Sequence, residues 1–395
     1  MQKQDTTKQE LRAEEIHTIT QAVLSEHFAI EMSASQYEQA DIFDVLIAAA
    51  VERITIEMAS DLLTEAPSAN TVRAWVKTML ADDEALTELE RRVNAMLASR
   101  LPKSLLQSKL PGALDLTEIP YYGKHEADDE FVRRGKAKQG TSHFHCYGTL
   151  YVVKRHKRYT LAIVLVRQQE KMVDVVKQLL DRGEALGLRL KRLYLDRGFD
   201  NNGVVELLKT KPFPTILPLV HRGRKGGGTH RLLTGRKGYR TTYERRSKVY
   251  GTQQLPLILV CKYSKGRYQR QGLCRFAYVL IGELKMAPDQ VYQAYRRRFG
   301  IETSYRLMNT VRARTTTKTV HLCLFWTAFA LLLLNLWAYV KWTFLFLPRP
   351  GPRQVLHHLL PLARWRLWLW EVVKQRLGFA LSIPIPAPAP VAVYC

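Results

Sequence analysis

Along the first hundred positions apolar residues recur at helical spacing, and from Pro111 onward they switch to short continuous or alternating runs. Residues 11–97 therefore read as helical throughout, with segments at 41–54, 55–63 and 70–80. In the last of these Val72, Trp75, Val76 and Met79 fall at i, i+3, i+4 and i+7, and Asn70 stands where it can cap. Beyond the switch, 112–122, 143–153, 159–166, 188–195 and 215–220 read as strands. The basic turn KRHKR makes an antiparallel hairpin of the second and third. Helices at 172–186, stopped by Gly187, and at 203–208 alternate with the later strands.

A three-strand meander followed by alternating helix and strand predicts an α/β fold, a ribonuclease H-like mixed sheet with helices on both faces. Two further strands, 255–262 and 276–281, flank SKGRYQRQG. They make 221–285 a basic β-rich insertion ahead of a long helix that opens near Pro288. The expected domains are an all-α N-terminal part (1–110), the first part of the sheet domain (111–220), the insertion (221–285), the end of the sheet domain with two helices (286–347), and a C-terminal helix with a Pro-rich tail (348–395). Within the first, two helices around Pro67 and Ser68 suggest a helix-turn-helix that would offer Thr71, Arg73, Lys77 and Thr78 to a DNA groove. A plain helical packing or dimerisation module is the alternative.

Charge divides at the same place. The 395 residues carry 60 Lys and Arg against 36 Asp and Glu, a net +24, yet residues 1–110 are net −7 and residues 111–395 net +31. So large a surplus calls for a polyanion, with nucleic acid the expected partner and an acidic membrane surface the competing one. Residues 221–248 hold ten of the basic side chains and the single acid Glu244, spread among six glycines. They read as a mobile loop whose Arg222, Arg224, Lys225, Arg236 and Lys237 follow a phosphate backbone. Five scattered cysteines without C-x-x-C spacing, and a polar start with no apolar signal core, point to a cytoplasmic, nucleoid-associated protein. Against that stands 319–340, 22 residues without Lys, Arg, Asp or Glu, which is long enough to cross a bilayer. His321, Thr327 and Asn335 interrupt it, so a buried core helix is expected and a membrane span is the competing reading.

Three carboxylates carry the candidate chemistry. In KRLYLDRGFD, Asp196 ends a strand at the rim where open α/β sheets hold ligands. In a ribonuclease H-like order the first strand lies beside the fourth, so Asp115 would face Asp196 although 81 residues separate them. Two such carboxylates repel unless a cation sits between them, and a hard ion such as Mg²⁺ suits oxygen ligands. On the helix after Pro288, Tyr295, Arg298, Glu302 and Asn309 fall at i, i+3, i+7 and i+14 and so share a face. Gly300 in mid-helix costs about 1 kcal/mol and suggests that another backbone or a ligand comes close there. The plainer readings are that Asp196 caps a turn and that Glu302 merely pairs with arginines. Glu118 belongs to the opposite face, Asp128, Asp129 and Glu130 to a polar loop, and Asp200 past the turn is the nearest competitor. His143 and His145 share a strand face and are expected to be packed or solvated, not ligands.

Together Asp115, Asp196 inside D-x-G-F, and Glu302 inside Y-x-x-R-x-x-x-E resemble the DDE transposases of bacterial and archaeal insertion sequences. The likeness spans roughly 114–314. It implies that Asp115, Asp196 and Glu302 hold two Mg²⁺ ions, with Mn²⁺ able to substitute, and that phosphodiester bonds are cut at element ends and rejoined by a 3′-OH. It further implies DNA contacts from Tyr295 and Arg298 and a homodimer in the synaptic complex. One departure stands out: where the family signature has a Lys seven residues after the Glu, this chain has Asn309, with Arg312 and Arg314 nearby. A DNA-binding protein with a decayed active site is the alternative that follows from it.

Overall fold

The computed structural model describes residues 10–32, 35–80, 86–124, 129–153, 158–223, 227–265, 271–351 and 353–382. The chain forms two compact units, one of residues 1–82, 312–315 and 362–395, the other of residues 83–311 and 316–361.

The first unit is helical: α1 (Ala13–His27), α2 (Gln39–Glu52), α3 (Ile56–Leu62), α4 (Ala69–Leu80) and the C-terminal helix Leu362–Leu377. Residues 42–51 of α2 are buried on every side, because both α1 and the C-terminal helix pack on it. The one carboxylate among them, Asp44, is reached by His17 Nε2 at 2.5 Å and by Arg376 Nε at 2.7 Å, so the buried charge is paired from two helices. The α3–turn–α4 pair is present with Val72, Val76 and Met79 inward. Its cap differs from expectation: Ser68 Oγ accepts the Thr71 N–H at 3.2 Å, and Asn70 already lies within the helix. Arg73 is engaged by Glu57 and by Asn70, and Lys77 is exposed.

In the second unit α5 (Leu86–Ala98) and α6 (Lys103–Leu106) lead into a sheet of nine described strands. These are β1 (Leu110–Pro120), β2 (Arg133–Lys138), β3 (Thr141–Val152), β4 (Thr160–Val166), β5 (Leu190–Leu195), β6 (Thr215–Pro218), β7 (Tyr239–Ser247), β8 (Gly251–Lys265) and β9 (Gln271–Ile281). Their order is β2-β3-β1-β5-β6-β9-β8-β7, with β4 also on β3. As predicted, β1 lies beside β5; the two run parallel, with Leu114 opposite Leu195. One face packs on α7 (Met172–Ala185) and α8 (Asn202–Lys209). The other carries Ala113, Tyr151, Tyr194 and Tyr278 against α9 (Pro288–Arg296) and α10 (Gly300–Met308).

Two expectations are corrected, and one strand is added. The stretch 221–248, expected to be a loop, holds a strand, because Tyr239–Ser247 pairs with β8 along its whole length; alternation within so charged a stretch is hidden by its arginines. Arg224 and Lys225 lie outside the described residues. The long helix after Pro288 is interrupted by a 3₁₀ turn at Arg297–Phe299 and ends at Met308, with Asn309 as its exposed C-cap. Arg312 and Arg314 follow it, in the first unit. β2, too polar to read as a strand, is held on the edge of β3.

The apolar segment is α11 (Val320–Phe344). It is long and apolar enough to cross a membrane, but most of it is buried in this unit. Asn335, one of its polar interruptions, accepts the Thr160 N–H at 3.0 Å and donates to Thr160 O at 2.8 Å. Asn94 makes the same two-way pairing with Ile163, and Glu90 accepts from the Leu165 N–H. Side chains thus take the place of a missing strand along the outer edge of β4, which would otherwise be open to pairing.

Candidate active site

Asp115 sits in β1 opposite Thr149 of β3, and Asp196 follows the last residue of β5 one step beyond the Leu114–Leu195 pair. Register alone therefore makes them neighbours. Glu302 comes from α10, and the 3₁₀ turn before it puts Arg298 between all three. Arg298 Nη1 lies 2.9 Å from Asp115 Oδ2, while Nη2 lies 3.1 Å from Asp196 Oδ1 and 3.2 Å from Glu302 Oε1. The guanidinium is 4% exposed and the carboxylates become steadily more open, at 10%, 43% and 53% in that order. Burial pushes the Asp115 carboxyl up to about 6, against the pull of Arg298, and the nearby Asp196 and Glu302 add to the rise. Burial opposes the charge on Arg298, but Tyr295 and the three carboxylates hold its pKa above the ordinary value.

The two helices on either side of the 3₁₀ turn are pegged to the sheet by pairs the sequence did not suggest. Tyr295 donates to Leu195 O at 3.1 Å, next to Asp196, and its ring lies under the Arg298 guanidinium. Tyr305 OH meets Thr149 Oγ1, and Ser304 Oγ meets Tyr151 OH, both at 2.5 Å. The signal was there in part: Thr149 and Tyr151 alternate on β3, and Ser304 and Tyr305 follow Glu302 closely in E-T-S-Y. Gly300 faces the Arg158 guanidinium, 3.2 Å from where a Cβ would stand, so what comes close there is a side chain and not the backbone or ligand expected.

The competing carboxylates are used elsewhere. Glu118 pairs with Lys138. Asp200 is buried, with Oδ1 accepting from Arg245 and Oδ2 from the Val220 N–H, both at 2.7 Å, so it ties β7 and the end of β6 to the D-x-G-F turn. Asp129 accepts from the Phe131 N–H, and Asp128 lies outside the described residues. His145 is buried with Nδ1 on Phe131 O and its ring edge-on to Tyr121, as a packed histidine would be. Arg222 is exposed and donates to Asp200 O; Arg236 and Lys237 are exposed.

Among the described residues no three His, Cys, Asp or Glu side chains close round one point as a finished metal cage. Asp115, Asp196 and Glu302 close instead round a guanidinium. A donor set of three carboxylates with a cation already among them fits a hard divalent ion in chemistry, once Arg298 gives way.

Residues 107–340 match the family model of the transposase DDE domain. Among solved structures, the chain is similar to piggyBac transposase, seen in a synaptic complex with hairpin DNA. The identity is 11% and the TM-score 0.54, over 97% of this chain and 84% of that one, a likeness of fold. No curated protein matches the chain.

Proposed function

The chain belongs to the transposase DDE domain family, and from that membership we propose that it cuts DNA at the ends of its own insertion element and joins the freed 3′-OH to target DNA. The observation that carries this reading is the meeting of three carboxylates, from three separate segments, on one arginine. Asp115, Asp196 and Glu302 would hold two divalent cations, Mg²⁺ by the hardness of the ligands, with Mn²⁺ able to substitute. Such ions, when bound, activate the attacking oxygen and stabilise the leaving one during in-line displacement. Asp115 supplies a fixed, buried oxygen, while the more open Asp196 and Glu302 adjust around it. Tyr295 locks the helix against the strand that ends in Asp196. Arg298, drawn out from between the carboxylates, is then placed to meet a DNA phosphate on the same face.

Double-stranded DNA is held by the basic surface, with Arg222, Arg236 and Lys237 on the insertion and Arg73 and Lys77 on α4 as candidates. Arg224, Lys225, Arg312 and Arg314 are carried forward from the sequence. A homodimer would bring two element ends together. The test is incubation of the wild-type protein in Mg²⁺ with a labelled duplex ending in the element's own terminus and a target plasmid. The expected result is a nicked end followed by its covalent transfer to the plasmid. Tight, salt-sensitive binding with neither product would favour a decayed site, which the exposed Asn309 at the signature's Lys position makes the second reading.

A further inference from the structure

At the other end of the same sheet face lies a cleft of about 810 Å³ whose lining includes Lys109, Arg158, Lys191, Arg192 and Arg297, together with Tyr194, and among the described residues no carboxylate. Elsewhere in this unit basic side chains are commonly paired: Lys138 with Glu118, Arg182 with Glu90, Lys211 with Glu184, Arg245 with Asp200 and Lys262 with Asp289. Among the described residues none of the five cleft cations has a carboxylate partner. Arg192 makes one long contact, from Nη1 to Tyr194 OH at 3.4 Å, and its Nε is buried with no partner at all. Five like charges left uncompensated around one hollow repel one another, so the site is built for an anion that supplies several negative charges at once.

Its position says which anion. Arg192 and Tyr194 alternate along β5 and Asp196 follows in the same phase just past its end, so cleft and carboxylates share a face, separated by four residues or about 13 Å of extended chain. The 3₁₀ turn at Arg297–Phe299 divides them, with Arg297 lining the cleft and Arg298 reaching the carboxylates. With the DNA axis running along β5, about 13 Å corresponds to roughly four base pairs of B-DNA, since each strand carries one phosphate per about 3.4 Å of axis. We propose that this cleft is a second DNA-backbone site, gripping phosphates about four base pairs from the bond that is cut. The inference rests on the transposase reading of the carboxylate site. The phosphates belong either to the element end or to the target duplex.

The test compares the wild-type protein with the triple variant Lys109→Ala/Arg158→Ala/Lys191→Ala, three exposed positions, at 50 to 200 mM salt. One labelled duplex carries the element end, and another of equal length carries unrelated sequence as target. Loss of two or three phosphate contacts makes the plot of log affinity against log salt shallower by about 2 to 3, with affinity at low salt reduced about tenfold or more. A loss confined to the end duplex assigns the cleft to the element, and a loss shared by both assigns it to the backbone of target as well. Unchanged slope and affinity on both duplexes overturns the proposal. Cleavage of the end duplex is followed in parallel. A wild-type protein that binds but never cuts sinks the catalytic reading, and the binding comparison still decides the cleft.

Discussion

Asp115 is the most enclosed of the three carboxylates, and its raised pKa has two consequences of opposite direction. The folded chain holds the proton up to about pH 6 whereas an ordinary Asp releases it near 3.8. The group therefore favours the fold most below 3.8, and that contribution is lost as pH rises through about 6. Without divalent ions, melting of the wild-type protein is expected to fall more steeply across this window than melting of Asp115→Asn; parallel curves would contradict the burial argument. Ion binding needs the carboxylate, so affinity for Mn²⁺ measured by calorimetry should weaken as pH drops below about 6. Arg298 is the residue whose placement was least legible. Helical periodicity put it on the face of Glu302, but only the tightened turn brings its guanidinium among the carboxylates. Replacing it with Met leaves buried Asp115 without its counter-charge, at a cost of about 3 to 5 kcal/mol. Mg²⁺ should then raise the melting temperature of Arg298→Met by more than it raises that of the wild type, and an equal rise would count against a shared cation position.

At the scale of elements, the strands that hold Asp115 and Asp196 were legible because parallel, doubly covered strands read as continuous apolar runs bounded by turn residues. The apolar 319–340 segment was ambiguous for the same reason, since burial in protein and burial in lipid select the same side chains. Asn335 fits burial in protein, because its amide is spent on the edge of β4. Asn335→Leu would leave the Thr160 N–H and C=O unpaired. Each such group costs about 1 to 3 kcal/mol, so denaturant unfolding should show a loss of that order or more. A variant as stable as the wild type would mean that the edge is satisfied another way. The insertion was legible as basic and, at 255–262 and 276–281, as strand, but β7 was not, since its YRTTYERRS is polar and charged on a sheet edge. Its anchorage through the buried Arg245–Asp200 pair could not be read from spacing at all.

For the whole molecule, charge was the most legible feature and geometry the least. The surplus of +31 beyond residue 110 marks a polyanion partner without saying which side chains meet it. Spacing named Asp115, Asp196 and Glu302 in order, and the family match over residues 107–340 agrees with a transposase. That these three act as one site is the central claim, and it is tested most directly by single-turnover cleavage of an element-end duplex in Mg²⁺. Asp115→Asn, Asp196→Asn and Glu302→Gln are to be compared with wild type and with Glu118→Gln, which alters a carboxylate paired to Lys138. Each of the first three should cut slower by about three orders of magnitude, as expected for the loss of several kcal/mol of charge stabilisation, while still binding DNA. Glu118→Gln should cut at nearly the wild-type rate. A near wild-type rate from any member of the trio would contradict the account.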